Sequence, residues 1–332
     1  MANTILVEEW LPVIQNEYLR RFVRRGGAAV KFAVLPEESQ RKELVTSLKE
    51  IAEGENFCFV SVDIANTKAH MVDKMFFAIS HQIPWDDLTL SFLRSSLGKD
   101  YFIPEDQPLS IEALALANGL DTKEMRQRIN IKLQNILYRD HRMTLEFRIA
   151  MIRLCQAQIE PQGTVPGAVD AVKQWLRGEL RLISTLKSAL IFQKIGRHNA
   201  RDMMYSLCHW LHLAGKAGLV VTIDISRYLE PRKQKGADES LYYGSAAILD
   251  GYEVLRQFID STDELEFCLV MVLTPPSFLD DESRGVERYD ALRLRIWDEV
   301  HDLKRVNPLS SLIRLEKAEI SPYHPVIHEE LL

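Results

Sequence analysis

Gly26-Gly-Ala-Ala-Val-Lys-Phe-Ala-Val-Leu35-Pro-Glu-Glu-Ser-Gln40-Arg-Lys-Glu-Leu-Val45 is an apolar run passing directly into a charged one. The first half has the composition of a buried strand. The second has apolar residues at helical spacing, with Leu44, Leu48 and Ile51 on one face over residues 37–53. A strand, a turn and a helix are the setting of the Walker A loop, Gly-x-x-x-x-Gly-Lys-Ser/Thr, whose backbone wraps a nucleotide phosphate. Counted from Leu35, the two glycine positions hold Leu35 and Gln40, the lysine position Arg41 and the hydroxyl position Lys42. Only glycine permits the path on which consecutive N–H groups point at phosphate oxygens. Glu37 and Glu38 would set carboxylates beside phosphate, and Lys42 cannot hold a magnesium ion. Pro36-Glu37-Glu38 reads instead as an ordinary helix start, with Pro in the first turn and acids favoured by the helix dipole.

Outward from this stretch, residues 6–25 carry Leu6, Trp10, Val13, Ile14, Tyr18, Leu19 and Phe22 at helical spacing, stopped by Gly26-Gly27. Phe57–Ile64 is nearly continuous in apolar residues, as expected of a strand covered on both faces. Residues 69–82 read as helix. No convincing strand occurs over 86–217, where 125–138, 143–159, 169–182, 186–195 and 200–214 read as helices. Leu219–Ile225 and Phe267–Leu273 are further strands, with helix over 245–260 between them and a charged helical region over 283–305. Residues 230–240 are polar and read as mobile. Strands alternating with helices imply a parallel α/β sheet with a large helical insertion. Three segments follow: 1–85, an N-terminal helix and the first half of the α/β core; 86–217, the insertion; 218–332, the second half of the core and C-terminal helices.

The strand Val220-Val221-Thr222-Ile223-Asp224-Ile225 matches a Walker B element, which ends in an Asp that holds the metal, usually followed by a Glu that polarises the attacking water. Asp224 is present, and Ile225 stands where the Glu belongs. This is a second loss, independent of the first.

Four stretches then occur in one order: Gly26-Gly27-Ala-Ala-Val-Lys-Phe-Ala-Val; Trp175-Leu-Arg-Gly-Glu179; Ala200-Arg-Asp-Met-Met, leading into Leu-Ala-Gly-Lys-Ala-Gly-Leu-Val-Val-Thr-Ile-Asp224; and Arg284-Gly285 with Tyr289-Asp-Ala-Leu-Arg-Leu-Arg295. Together they resemble the BREX-system ATP-binding family, AAA+-like P-loop proteins of bacterial phage defence, over residues 12–300. The resemblance implies a RecA/AAA+-like P-loop NTPase fold. It implies a subunit of a defence complex, with partners such as an active ATPase, helicase, nuclease or methyltransferase. The departures at Walker A and Walker B imply a degenerate, non-catalytic member, a pseudo-ATPase that scaffolds its partners without a cofactor. Arg41, Lys42 and Asp224 mark the vestigial nucleotide site. In an active alternative, Arg41 or Lys42 would meet phosphate and Asp224 would meet magnesium. Late arginines in AAA+-like ATPases act as sensors or reach a neighbour's nucleotide, which makes Arg284, Arg288, Arg293 and Arg295 candidates for a partner interaction. Asp290, Asp298 and Glu299 offer them local ion pairs instead.

Composition narrows the remaining classes. The chain has 332 residues, 46% hydrophobic and 27% charged, with net charge −6, and no run approaches the ~18 apolar residues of a membrane span. The acidic N-terminal stretch argues against a signal peptide, and cytoplasmic residence is expected. Residues 121–218 hold 16 Lys/Arg against 8 Asp/Glu, leaving 25 against 39 elsewhere. The densest basic run, Arg126, Arg128, Lys132, Arg139 and Arg142, continuing to Arg148 and Arg153, would suit DNA phosphates, with Tyr138 and Phe147 interleaved. Apolar periodicity assigns both aromatics to the core, and charges spread around solvated helices are the plainer expectation. His209 and His212 share a helix face without the company a metal site requires. Cys58, Cys155, Cys208 and Cys268 form no CxxC and read as reduced core residues.

Overall fold

The structure is a computed structural model that describes residues 4–163, 167–231, 241–297 and 307–317. Among the described residues, six strands form one sheet: β1 (Ile5–Leu6), β2 (Ala28–Val34), β3 (Cys58–Asp63), β4 (Leu219–Asp224), β5 (Cys268–Thr274) and β6 (Leu312–Glu316), in the order β1-β6-β2-β5-β4-β3. Every pairing is parallel. One strand, β5, separates the strand of the Walker A position, β2, from the strand ending in Asp224, β4. The fold is α/β, in the manner of P-loop NTPases.

The interior strands β2, β4 and β5 are buried on both faces, which explains why they read as continuous apolar runs, whereas the edge strand β3 leaves Ser61 and Asp63 exposed. Side chains alternate across the sheet. Val30, Phe32, Val34, Val60, Val62, Val221, Ile223, Val270 and Val272 enter one core together with the helices between β3 and β4. Ala33, Leu35, Val220, Leu269, Met271 and Leu273 enter a second core with Trp10, Ile14 and Leu19 of the N-terminal helix and Leu44, Leu48 and Ala52 of the helix Glu38–Gly54. Full burial of each large apolar side chain is worth about 1.5–3 kcal/mol, so the two cores lock the register of the strands between them. Lys31 points into the second core, 3% exposed. Its ammonium donates to the carbonyls of Leu309 and, at 2.8 Å, Ser310, and lies 4.5 Å above the Tyr18 ring, tying β2 to the turn before β6. The free edge of β3 is occupied by Gln82. Its amide accepts from Ser61 N at 3.1 Å and donates to Ser61 O at 2.9 Å, which blunts an edge otherwise open to another strand.

The N-terminal helix is α-helical over Val7–Val13 and π-helical over Ile14–Phe22, ending at Gly26 with φ 102°, and it is preceded by β1. The helix expected over 186–195 is a 3₁₀ segment, Ile183–Ala189, which ends because Leu190 takes φ 64°. In the region 283–305, the described residues form a 3₁₀ turn, Val286–Arg288, and a short helix, Asp290–Ile296; 298–305 lie outside the described residues, as do 232–240 of the polar stretch. Among the described residues between β3 and β4 there is no strand, and no described helix is long and apolar enough to cross a membrane. Phe147 is fully buried, whereas Tyr138 is 48% exposed because the π-helical turn Gln134–Tyr138 carries it outward.

The helix Ser245–Asp260 is clamped to Asp290–Ile296 through Glu253, which accepts from Arg256 Nε at 2.6 Å, from Tyr289 Oη and from Gln257 Nε2 at 2.7 Å. The Arg256 guanidinium first, then the Tyr289 and Gln257 donors, pull the Glu253 carboxyl down from 4.5 to about 2 against the opposing effect of burial. A carboxyl depressed in the folded state contributes stability above its unfolded pKa and loses it as pH falls toward the folded one. Glu253→Gln should therefore be destabilised relative to the parent above pH ~4.5. The gap should close as pH drops toward 2, read as the difference in urea midpoints; a pH-independent difference would refute the assignment.

Candidate functional site

The C-terminal ends of the parallel strands place Leu35, Asp63, Asp224 and Thr274 along one rim of the sheet, the rim where ligands of open α/β sheets bind. Only Leu35, Pro36 and Glu37 separate β2 from the helix Glu38–Gly54. In this short link Leu35 is fully buried and its N–H donates to Thr274 O at 2.9 Å; Pro36 has no N–H to offer. Within the link, one donor is thus committed, at Leu35, and one is missing, at Pro36. Pro36 precedes the helix N-cap, Glu37, instead of sitting in the first turn as the sequence reading had it.

Arg41, one turn into the helix, turns back over the rim and is 6% exposed. Its Nη1 donates to Leu35 O at 2.9 Å and Pro36 O at 3.4 Å, and its Nε meets Asp224 Oδ2 at 3.4 Å. The other oxygen of Asp224 accepts from Ser226 N at 2.9 Å and from the Ser226 hydroxyl. Asp63, the register partner of Asp224, accepts from Ala65 N at 2.7 Å. Lys42 is exposed and paired with Glu38 at 2.6 Å; that hydrogen bond first, with the charges of Glu38, Asp63 and Asp224, holds its ammonium above the ordinary range. Arg41 and Asp224, 183 residues apart, therefore meet each other, while Lys42 stands outside. Thr274, which the motifs do not point to, has its hydroxyl fully buried at the end of β5 with no hydrogen-bond partner among the described residues. A polar residue closing an apolar strand before Pro275-Pro276 was its available signal.

The late arginines are spent locally. Arg284 donates to the carbonyls of Tyr228 at 2.8 Å and Tyr243 at 3.1 Å and to the Tyr242 hydroxyl at 3.1 Å, while its own carbonyl accepts from Tyr252 Oη at 2.7 Å. It thereby stitches the segment after β4 to the turn at 281–285. Arg288 donates to Ser283 O; Arg293 pairs with Glu287 and Asp290, and Arg295 with Asp260. Asp298 and Glu299 lie outside the described residues.

In the basic run, Arg126 is bidentate to Glu160, Arg128 pairs with Glu124, Lys132 with Asp100 and Arg142 with Asp140. Arg139 has no ion pair among the described residues. His209, 2% exposed, bonds Asp140 at 2.7 Å, and His212 stacks on Phe267 with centroids 3.9 Å apart. All four cysteines are buried and unbridged, and the described residues contain no cluster of three or more potential metal ligands.

The family described as BREX system ATP-binding protein BrxC/D matches residues 108–323, more than half of the chain. The chain belongs to that family. Membership implies a role in a phage defence system, together with the other proteins of that system. The match takes in the Asp224 strand and the Arg284–Arg295 region but not β2 or the link to Arg41. No curated protein and no solved structure matches the chain.

Proposed function

We propose that this BREX-family chain is a non-catalytic subunit, a pseudo-ATPase whose P-loop fold is kept as a scaffold for partner proteins in the defence complex. The observation that carries this reading is the Arg41–Asp224 pair. Arg41 and Asp224, a cation and an acid placed where phosphate and metal would be met, instead bond each other, and Arg41 also donates to the carbonyls of the link. ATP and magnesium do not fit these residues. Leu35 and Gln40 stand where the phosphate loop needs its glycines, Lys42 replaces the hydroxyl ligand, and Ile225 replaces the acid that would activate water. The partners proposed are defence proteins such as an active ATPase, helicase, nuclease or methyltransferase, in the cytoplasm. Pairing of four of the five candidate basic residues with carboxylates argues for protein scaffolding over DNA contact, because a neutralised patch releases few counterions.

Equilibrium dialysis of the whole chain against ATP with magnesium tests this. No binding dependent on Asp224 is expected up to millimolar ATP. Micromolar binding abolished by Asp224→Ala would replace the proposal with an active ATPase using Arg41 or Lys42 for phosphate. Tight DNA binding at low salt that is lost on raising salt would favour a DNA-binding module.

A further inference from the structure

The helical block contains a groove of about 490 Å³ between the turn Gln134–Tyr138, the helix Leu145–Ile159 and Leu190. Its size is in the range of small-molecule sites, ~300–1,000 Å³. Two arginines, Arg139 and Arg153, line it and no acid does; neither has a carboxylate partner among the described residues, in contrast to the paired cations around them. Arg153 is held in place by neutral groups. Its Nη1 donates to Gln156 Oε1 at 3.0 Å, and Gln156 Nε2 donates in turn to Asn130 Oδ1 at 2.9 Å. A guanidinium fixed by amides keeps its full charge for an incoming anion.

Two backbone irregularities converge on this groove. Gln134–Tyr138 is a π-helical turn at the end of the helix Thr122–Leu133, a distortion that recurs at functional sites. Leu190 holds φ 64°, which a leucine adopts only under constraint, and leaves its side chain 53% exposed on the groove wall. Tyr138 presents a half-exposed ring whose orientation is steadied by the Arg148 guanidinium 5.7 Å from its centroid.

We propose that this groove binds a small organophosphate carrying a planar ring, of the nucleoside monophosphate class. Arg139 and Arg153 take the phosphate, the Tyr138 ring and Leu190 sandwich the planar group, and the amides of Gln134 and Asn130 read its edge. A nucleic-acid strand fits less well. It needs a track of unpaired cations at successive phosphates, and the neighbouring Arg126, Arg128, Lys132 and Arg142 are each paired with a carboxylate. The site does not involve the Arg41–Asp224 rim, so it stands or falls separately from the pseudo-ATPase reading.

Calorimetric titration of the whole chain with AMP, GMP, CMP and UMP, and with inorganic phosphate and adenosine as the separated halves, provides the test. At least one monophosphate should bind in the micromolar range and at least about tenfold more tightly than either half. Arg139→Gln, at an exposed position where folding is not at stake, should weaken it about tenfold, as expected for one charged hydrogen bond. Arg153→Gln should do the same, and Asp224→Asn should leave binding unchanged. The proposal is overturned if no monophosphate binds at millimolar concentration, if inorganic phosphate binds as tightly as the nucleotides, or if Arg139→Gln and Arg153→Gln bind like the parent. Loss of binding in Asp224→Asn, or binding of an oligonucleotide without the monophosphates, overturns it equally.

Discussion

Arg41→Met is expected to lower the stability of the chain by about 2–3 kcal/mol, although methionine fills much of the same space and Arg41 touches no ligand. The substitution strands three acceptors at once: Asp224 Oδ2 and the carbonyls of Leu35 and Pro36. Removing one partner of a buried ion pair costs about 3–5 kcal/mol. Asp224 keeps 28% of its side-chain exposure, so water recovers part of that and the lower figure applies. Asp224→Asn should cost about 1 kcal/mol, because the amide oxygen still accepts from Ser226 and Arg41 keeps its two carbonyls. If the two side chains act as a unit, the double variant will be less destabilised than the sum of the singles by ~1 kcal/mol or more. Urea midpoints at constant slope measure all three. An Arg41→Met variant within ~0.5 kcal/mol of the parent would mean that the pair is incidental, and with it the main support for a closed nucleotide site.

The sequence carried the frame of this site but not its closure. β2, β4 and β5 were legible because strands buried on both faces are written as apolar runs, β3 because its buried face carries Cys58, Val60 and Val62 in alternation, and Asp224 and Arg41 were placed at one site by the motif frame they share. That they would bond each other has no local signature, since 183 residues of chain lie between them. β1 and β6 escaped for a different reason. Two residues have no periodicity, and Leu312–Glu316 alternates too briefly, with Arg314 and Glu316 interrupting it, to stand out from a loop. The helix expected over 186–195 failed because apolar spacing cannot reveal a left-handed Leu190. Tyr138 was assigned to the core by counting 3.6 residues per turn through a segment that winds more widely. Those last two misreadings fall on the walls of one groove, where local pattern and tertiary structure part company, as they do at functional sites.

The largest expected effect comes from the residue that launches the Asp224 strand. Gly218 holds φ 151°, and a Cβ built on it would lie 2.2 Å from the carbonyl oxygen of Phe267, with the Phe57 ring at 3.0 Å. Neither neighbour can give way. Phe267 O accepts the first ladder bond of β4 from Leu219 N at 2.8 Å, and Gly218 O itself accepts from Cys58 N at 2.9 Å. The clash is therefore with backbone that the sheet fixes from both sides, at the point where β3, β4 and β5 are brought into register. Gly218→Ala combines a disfavoured dihedral with steric overlap that only a shift of β4 can relieve. The expected cost is about 4 kcal/mol or more, enough to leave little folded protein, and it should appear as loss of soluble expression or a steep fall in urea midpoint. Gly119→Ala provides the contrast. Its φ of 64° is strained for alanine, but nothing lies within 4 Å of the added carbon, so about 1 kcal/mol is expected. Both the glycine-only dihedral at Gly218 and the contact with the Phe267 carbonyl make its loss the larger one, and a loss at Gly218 no greater than that at Gly119 would refute the expected clash.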